Sequence, residues 1–134
     1  NRTYWGAAAG VFAQSGDGEE RVISCRQAPA DGMVAMVSRS HRGPDIDPFL
    51  SHYNIASETS AGSSFKFCLI AEGKADIYPR LGRTMEWDTA AGHAILNFAG
   101  GAITDLDGAP LQYGKPGFEN PHFLAQGPGV AKKT

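Results

Sequence analysis

The sequence predicts an α/β domain, a layered sandwich in which helices flank a central mixed sheet. The main observation is that strand-like and helix-like stretches alternate after about residue 30, which is the pattern of an α/β layered domain. A second observation is "MVAMVSRS", a continuous apolar run with a polar end, typical of a strand buried on both faces. The composition agrees, because 42% of the 134 residues are hydrophobic and 19% are charged, as in a folded globular protein.

The first part of the chain has a different character. Short strands are predicted at residues 3–6, 11–13 and 20–25, separated by glycine-containing turns such as "SGDGEE". The stretch "RQAPADG" marks a boundary after them. We therefore expect two units, residues 1–28 and residues 29–134, and we expect the residues before Gln27 to lie in a different sheet from the rest.

The elements after this boundary alternate. "GPDIDPFLSHY" has proline and aspartate near its start and predicts a short helix. The remaining predictions, in chain order, are a strand in "IASETSAG", a helix in "SSFKFCLIAEG", a strand in "KADIYPR", a helix from about Glu86 to Ala99, a strand and Asp-Gly turn in "AITDLDGAPL", and a strand in "HFLAQG". In such sheets ligands collect at the carboxyl ends of strands and the amino ends of helices.

Charge and composition exclude several classes of function. The net charge of −2 argues against broad binding to a nucleic-acid polymer, which needs a strongly basic face. No apolar run approaches the about 18–20 residues that span a bilayer. The two cysteines, Cys25 and Cys68, lack metal-ligand spacing and indicate reduced thiols in a cytoplasmic protein.

The helix from Glu86 begins with an aromatic residue and an acid. Trp87, Ala91, Ala94, Ile95 and Phe98 follow at helical spacing, which predicts that they form the buried face, and the pair Gly100-Gly101 ends the helix. Asp88 lies in the first turn and off that face, where the helix dipole favours an acid by about 0.3–1 kcal/mol. Spacing alone leaves two interpretations of Asp88, a helix-start acid without another role or a functional carboxylate.

A longer match bears on this choice. The stretch "WDTAAGHAILNFAGG" resembles the second signature of the inositol monophosphatase-like family of magnesium-dependent phosphatases. Upstream, "SRSH" and "AGSSFKFCLIAEGKADIYPRLG" are similar to the bisphosphate nucleotidase (CysQ-like) branch of that family. The resemblance implies the carboxy-terminal half of the family's fold. It also implies that Asp88 is a catalytic carboxylate that binds Mg²⁺ and lies at the substrate.

The family's other signature, an Asp-Pro-x-Asp-Gly-Thr segment, does not occur in these 134 residues. "GPDIDPF" contains Asp45, Asp47 and Pro48 but lacks the Gly-Thr pair, so we interpret it as a helix start. We therefore expect the chain to be a fragment in which residues 1–28 are the trailing strands of a missing amino-terminal metal-binding domain. Residues 29–134 are then the substrate-binding domain, and the fragment alone is expected to be inactive.

Several residues suit an anion. Ser63 is predicted to cap the helix in "SSFKFCLIAEG", and Lys66, three residues later, places a cation in the first turn, where it opposes the helix dipole. A phosphate bound between them explains this; the alternative is a lysine that extends to solvent from an apolar helix. Arg80 stands at a strand's carboxyl end, and an arginine binds phosphate bidentately. The resemblance supports binding by Lys66 and Arg80 and adds His41 as a substrate contact. A solvated surface role is expected for Arg39, Arg42 and Arg83.

The function implied by the resemblance is removal of the 3′-phosphate from adenosine 3′,5′-bisphosphate, giving AMP and phosphate, in sulfur assimilation or nucleotide recycling. The partner is then a small-molecule nucleoside bisphosphate. The resemblance leaves a homodimer and peripheral association with the inner membrane open. Two alternatives remain, an inositol or sugar monophosphatase of the same family and a non-catalytic nucleotide- or anion-binding module.

Overall fold

The fold, seen in a computed structural model that describes residues 1–40, 42–62 and 64–134, contains two sheets and the helices between and beside them. The strands are β1 (Arg2–Ala7), β2 (Gly10–Ser15), β3 (Arg21–Ile23), β4 (Met33–Val37), β5 (Ile55–Ser60), β6 (Ile77–Arg80), β7 (Ala102–Asp105) and β8 (Phe123–Gln126). The helices are α1 (Ile46–Leu50), α2 (Phe65–Ala71) and α3 (Glu86–Phe98), and a 3-10 turn spans Pro116–Phe118.

The larger sheet has five strands in the order β5-β4-β6-β8-β7. β4 pairs in parallel with both β5 and β6, whereas β8 pairs antiparallel with β6 and with β7. The predicted mixed sheet is therefore confirmed. Because β4, β5 and β6 run the same way, their carboxyl ends meet at one edge of the sheet.

The smaller sheet is antiparallel, in the order β1-β2-β3, and it is separate from the larger one. The expectation that the residues before Gln27 lie in a different sheet is confirmed. The chain reverses between β1 and β2 over Ala8 and Ala9, and Gly10, which follows this turn, has a φ of 137° that is favoured only in glycine.

The layers follow from the two hydrophobic clusters of buried residues. One cluster joins Val11 of β2, Ile70 of α2, Leu96 of α3 and Phe123 of β8, so α2 and α3 lie between the two sheets. The other covers the opposite face of the large sheet, where α1 packs. Neighbouring residues of β4 face the two clusters in alternation. The layered sandwich and the prediction of a strand buried on both faces are confirmed.

A partly buried ion pair joins the segment between the sheets to the large sheet. Asp76, only 1% exposed, accepts hydrogen bonds from Arg26 at 2.8 Å (Nε) and 2.7 Å (Nη2) and from the Val34 amide at 2.8 Å. Both carboxylate oxygens are satisfied, which offsets the cost of burying the charge. This pair fixes the start of β4 and the approach to β6.

Helix α3 spans the residues predicted for it, but it buries a different face. Trp87 and Phe98, assigned to the buried face by spacing, are 68% and 61% exposed. The buried positions include Thr89, Gly92 and Leu96. The predicted face is wrong because α3 packs closely against α2 at Gly92, and this contact decides which face of α3 is buried. A Cβ at Gly92 would lie only 3.0 Å from Cγ of Phe67.

The predicted cap of α2 also needs correction. The helix begins at Phe65, and the N-cap position is Ser64, whose side chain makes no capping hydrogen bond. Ser63 lies outside the described residues. Among the described residues, no helix is long and apolar enough to cross a membrane.

The contact between the two helices gives a first prediction. Gly92→Ala should destabilise the fold by about 1–3 kcal/mol, because the added methyl group overlaps the Phe67 ring. Helix propensity alone acts in the opposite direction by up to about 1 kcal/mol. Urea titration measures the difference in free energy of unfolding between Gly92→Ala and wild type. Ala91→Gly, at the exposed neighbouring position, measures the contribution of helix propensity alone. A Gly92→Ala variant more stable than wild type would show that the helices are not held this closely.

Candidate functional site

A cavity of about 610 Å³ opens at the edge of the large sheet where β4, β5 and β6 end. Its walls come from the segments that follow these strands, from the first turns of α2 and α3, and from β8. The described lining residues are Ser38, Arg39, Ser40, Ala61, Gly62, Ser64, Lys66, Phe67, Tyr78, Arg80, Arg83, Thr84, Asp88, Thr89 and Phe123. The cavity therefore lies at the edge where ligands are expected in a sheet of this kind.

The floor of the cavity is aromatic. The Phe67 and Tyr78 rings are 5.6 Å apart between centroids, and Phe123 lies 6.0 Å from Phe67 and 5.9 Å from Tyr78. Tyr78 and Phe123 meet edge to face, as aromatic pairs prefer. The three rings come from α2, β6 and β8, so they fix these elements relative to one another at the site.

Lys66 is buried beside this floor. Its residue is 3% exposed, and its Nζ lies 5.1 Å from the centroid of the Tyr78 ring, in cation–π range. Burial lowers the pKa of Lys66, and the nearby Arg80 guanidinium lowers it further. The alternative of a lysine that extends from an apolar helix into solvent is therefore wrong.

Arg80 ends β6 and is partly buried in the same cavity. Its Nη2 donates to the Arg83 carbonyl oxygen at 3.3 Å. Its Nε is buried and has no hydrogen-bond acceptor in the described part of the chain. A buried donor without an acceptor is costly, and an anion in the cavity would supply one.

Asp88 is the third residue of α3 and also lines the cavity. Its Oδ2 accepts a hydrogen bond from the Met85 amide at 2.8 Å, so the role of a helix-start acid is confirmed. This bond engages one carboxylate oxygen and does not exclude the second interpretation. Among the described residues there is no cluster of three or more His, Cys, Asp or Glu side chains that could hold a metal ion. Asp88 thus fits as one ligand of a metal and not as a complete site.

The arginines expected at the surface divide into two groups. Arg42 is exposed and pairs with Asp47 and, at 2.6 Å from Nη1 to Oε2, with Glu58. Arg39 and Arg83 are also exposed, but both line the cavity, a position that the sequence did not indicate. Arg39 is held by a 2.7 Å hydrogen bond from Nε to Ser60 Oγ.

The cavity is electropositive. Its described lining carries the cations Arg39, Lys66, Arg80 and Arg83 and the single acid Asp88. A cavity with this charge balance attracts anions and concentrates them at its mouth. The overall charge of −2 did not reveal it, because the cations are collected at one edge of the molecule.

The structure brings Lys66, Arg80 and Asp88 into one cavity, as the sequence predicted. His41 and Ser63 lie outside the described residues, although their neighbours Ser40 and Gly62 line the cavity. Tyr78 was missed; its position two residues before Arg80 on a strand, hence on the same face, is the signal that could have found it. Thr84 and Thr89 were missed because nothing local distinguishes them.

Comparisons with known proteins agree with this geometry. Residues 1–133 match the model of the inositol monophosphatase family. The 3′(2′),5′-bisphosphate nucleotidase CysQ of Escherichia coli (strain K12) is 41% identical over 120 residues, which are 89% of this chain and 48% of that protein. A Rhizobium leguminosarum bv. phaseoli protein, named only from its position in the pss 5′ region, is 58% identical over 85 residues, which are 59% of this chain and 90% of that protein.

Among solved structures, CysQ from Bacteroides thetaiotaomicron, described as a bacterial member of the inositol monophosphatase family, matches with a TM-score of 0.81 and 35% identity. The match covers 94% of this chain and 54% of that one, so the chain spans about half the length of these nucleotidase relatives. The sequence resemblance is confirmed by the family match and by the fold. This chain belongs to the inositol monophosphatase family.

Proposed function

We propose that this chain is the substrate-binding part of a magnesium-dependent phosphatase that converts adenosine 3′,5′-bisphosphate into AMP and phosphate. The observation that carries the proposal is that one cavity, in a chain of this family, is lined by Lys66, Arg80 and Asp88. Relatives named 3′(2′),5′-bisphosphate nucleotidase support the choice of substrate.

The two cations of the cavity support a second phosphate in the substrate. The buried Nε of Arg80 gains from an acceptor with negative charge, and the buried Lys66 adds a second cation to the same cavity. A nucleoside bisphosphate has one phosphate that reacts and another that these cations can hold. An inositol or sugar monophosphate has no such second group, so Lys66 and Arg80 would exceed what it needs.

The size of the cavity supports a nucleotide. Small-molecule sites are commonly about 300–1,000 Å³, and the 610 Å³ found here lies in that range. We assign the aromatic floor and the arginine at its rim, Arg39, to the part of the substrate beyond the phosphates. His41 and Ser63 remain predicted substrate contacts.

Asp88 is assigned to magnesium. Mg²⁺ prefers about six oxygen ligands, and Asp88 supplies one carboxylate. We therefore assign the other protein ligands to a part of a longer protein that lies outside these residues. When bound, the metal supplies a nucleophilic water and neutralises charge on the leaving oxygen. This chain's own residues bind and orient the substrate: Lys66 and Arg80 hold the second phosphate so that the ester to be cleaved faces Asp88. The chain alone is accordingly expected to be inactive.

Asp88→Asn tests the metal assignment in the longer protein. The amide keeps the shape of the side chain and an oxygen acceptor for the Met85 amide, so stability should change by no more than about 1 kcal/mol. Mg²⁺-dependent phosphate release should fall by at least about 100-fold, because the charge that a hard cation requires is lost.

Asp45→Asn is the matched control, since Asp45 is the N-cap of α1, makes no side-chain capping bond and does not line the cavity. It should keep wild-type turnover. Full activity in Asp88→Asn would return Asp88 to a helix-start role only.

Lys66→Met tests the substrate class, because methionine keeps the apolar stem over Tyr78 and removes the charge. The kcat/KM for adenosine 3′,5′-bisphosphate should fall about 10- to 100-fold, the range for a charged hydrogen bond of about 1.5–3 kcal/mol. The kcat/KM for adenosine 3′-monophosphate should change less than about threefold. Lys132→Met, at an exposed position, is the control. An equal fall for both substrates would assign Lys66 to general structure.

The same lysine predicts a pH dependence. Burial lowers the pKa of Lys66, so the side chain loses its proton at a lower pH than an ordinary lysine. The preference for bisphosphate over monophosphate should therefore decline as the pH rises towards the alkaline range, and the decline should be absent in Lys66→Met. A preference that stays constant until ordinary lysines titrate would contradict the assignment.

A further inference from the structure

A polar network surrounds the first turn of α3, and two of its members, Thr84 and Thr89, also line the cavity. Asn120 is its central residue and is 6% exposed. Its Nδ2 donates to the Met85 carbonyl oxygen at 3.0 Å and lies 3.1 Å from Thr89 Oγ1 and 3.2 Å from Thr84 Oγ1. The amide thus contacts residues on both sides of Asp88 in the chain.

The Met85 carbonyl oxygen connects Asn120 to Asp88. It accepts both from Nδ2 of Asn120 and, at 2.9 Å, from the Asp88 amide. The Met85 amide in turn donates to Oδ2 of Asp88 at 2.8 Å. Both polar groups of the Met85 backbone therefore hold Asp88, and one of them is held by Asn120.

The orientation of Asn120 is itself fixed. Its Oδ1 lies 3.3 Å from Nζ of Lys115, which also pairs with Oε1 of Glu86 at 2.7 Å. Glu86 accepts further hydrogen bonds from the amides of Gly114 and Lys115, each at 2.9 Å. The amide of Asn120 donates to the Thr84 carbonyl oxygen at 2.9 Å. With a cation at Oδ1 and acceptors at Nδ2, only one orientation of the amide satisfies both ends.

We infer that Asn120 is a positioning residue that fixes the first turn of α3 and thereby holds the Asp88 carboxylate towards the cavity. Asn120, Lys115 and Glu86 are not among the described residues that line the cavity, so Asn120 acts through Met85 and Asp88. The functional consequence of this positioning rests on the proposed role of Asp88.

The test uses Asn120→Asp in the longer protein. This substitution keeps the size of the side chain and its pairing with Lys115, but it places an oxygen against the Met85 carbonyl oxygen, which cannot donate. The Thr84 hydroxyl group can rotate to donate, whereas the Thr89 hydroxyl group already donates to the Glu86 carbonyl oxygen at 3.2 Å. The loss therefore falls on Met85 and Thr89, both in the first turn of α3 or next to it. Ile103→Val, in the core of β7 and away from this network, is the control for a general loss of stability.

Two readouts separate positioning from general structure. In Asn120→Asp, hydrogen exchange at the Met85 and Asp88 amides should accelerate at least about 10-fold relative to the core amides. Both amides donate hydrogen bonds within the first turn of α3, which Asn120 is inferred to fix. The kcat for adenosine 3′,5′-bisphosphate should fall about 10- to 100-fold, the KM should stay within about threefold, and the Mg²⁺ concentration for half-maximal rate should rise. Ile103→Val should show none of these local changes.

Unchanged exchange at Met85 and Asp88, or a kcat within about twofold of wild type, overturns the inference. If the wild-type longer protein shows no Mg²⁺-dependent phosphate release, the proposed function fails. The exchange measurement then decides by itself whether Asn120 fixes the first turn of α3.

Discussion

The close approach of α2 and α3 is the constraint on which the site depends. At Gly92 the absence of a side chain lets α3 lie against the Phe67 ring, with no space for even a Cβ. Lys66 precedes Phe67 on one helix, and Asp88 lies one turn before Gly92 on the other. The contact that packs the helices therefore also places the cation and the carboxylate in one cavity.

The cavity combines an apolar floor with buried cationic groups. Phe67, Tyr78 and Phe123 form a floor of low polarity beside Lys66 and Arg80, and the buried Nε of Arg80, which has no acceptor among the described residues, is costly in the absence of an anion. The same low polarity strengthens an ion pair once an anion binds. A site of this kind lowers the stability of the ligand-free protein and raises the affinity for an anion, as is common in binding sites.

The two walls of the cavity are organised by different means. Lys66 and Arg80 come from elements held by hydrophobic packing and by the sheet, whereas the first turn of α3 is held by hydrogen bonds from the segment that includes Lys115 and Asn120. A hydrogen-bonded wall has a defined orientation, because donors and acceptors must match along the series of hydrogen bonds that connects Glu86 through Lys115 and Asn120 to Met85. A wall of this kind suits a carboxylate for which the orientation of the oxygen atoms matters more than their burial.

The sequence by itself determined the alternation of strands and helices, the limits of α3 and the separate amino-terminal sheet, and it predicted that Lys66 and Arg80 lie within reach of Asp88. These follow from local periodicity, turn residues and a motif that is continuous in the chain. Tertiary structure decided which face of α3 is buried, because a glycine against Phe67 outweighs the apolar spacing of Trp87 and Phe98. It also decided the positions of Tyr78 in the cavity lining and of Asn120 beside Met85. Asn120 is 35 residues from Met85 in the chain, and only folding brings its Nδ2 within 3.0 Å of the Met85 carbonyl oxygen. A local sequence pattern cannot predict such a contact.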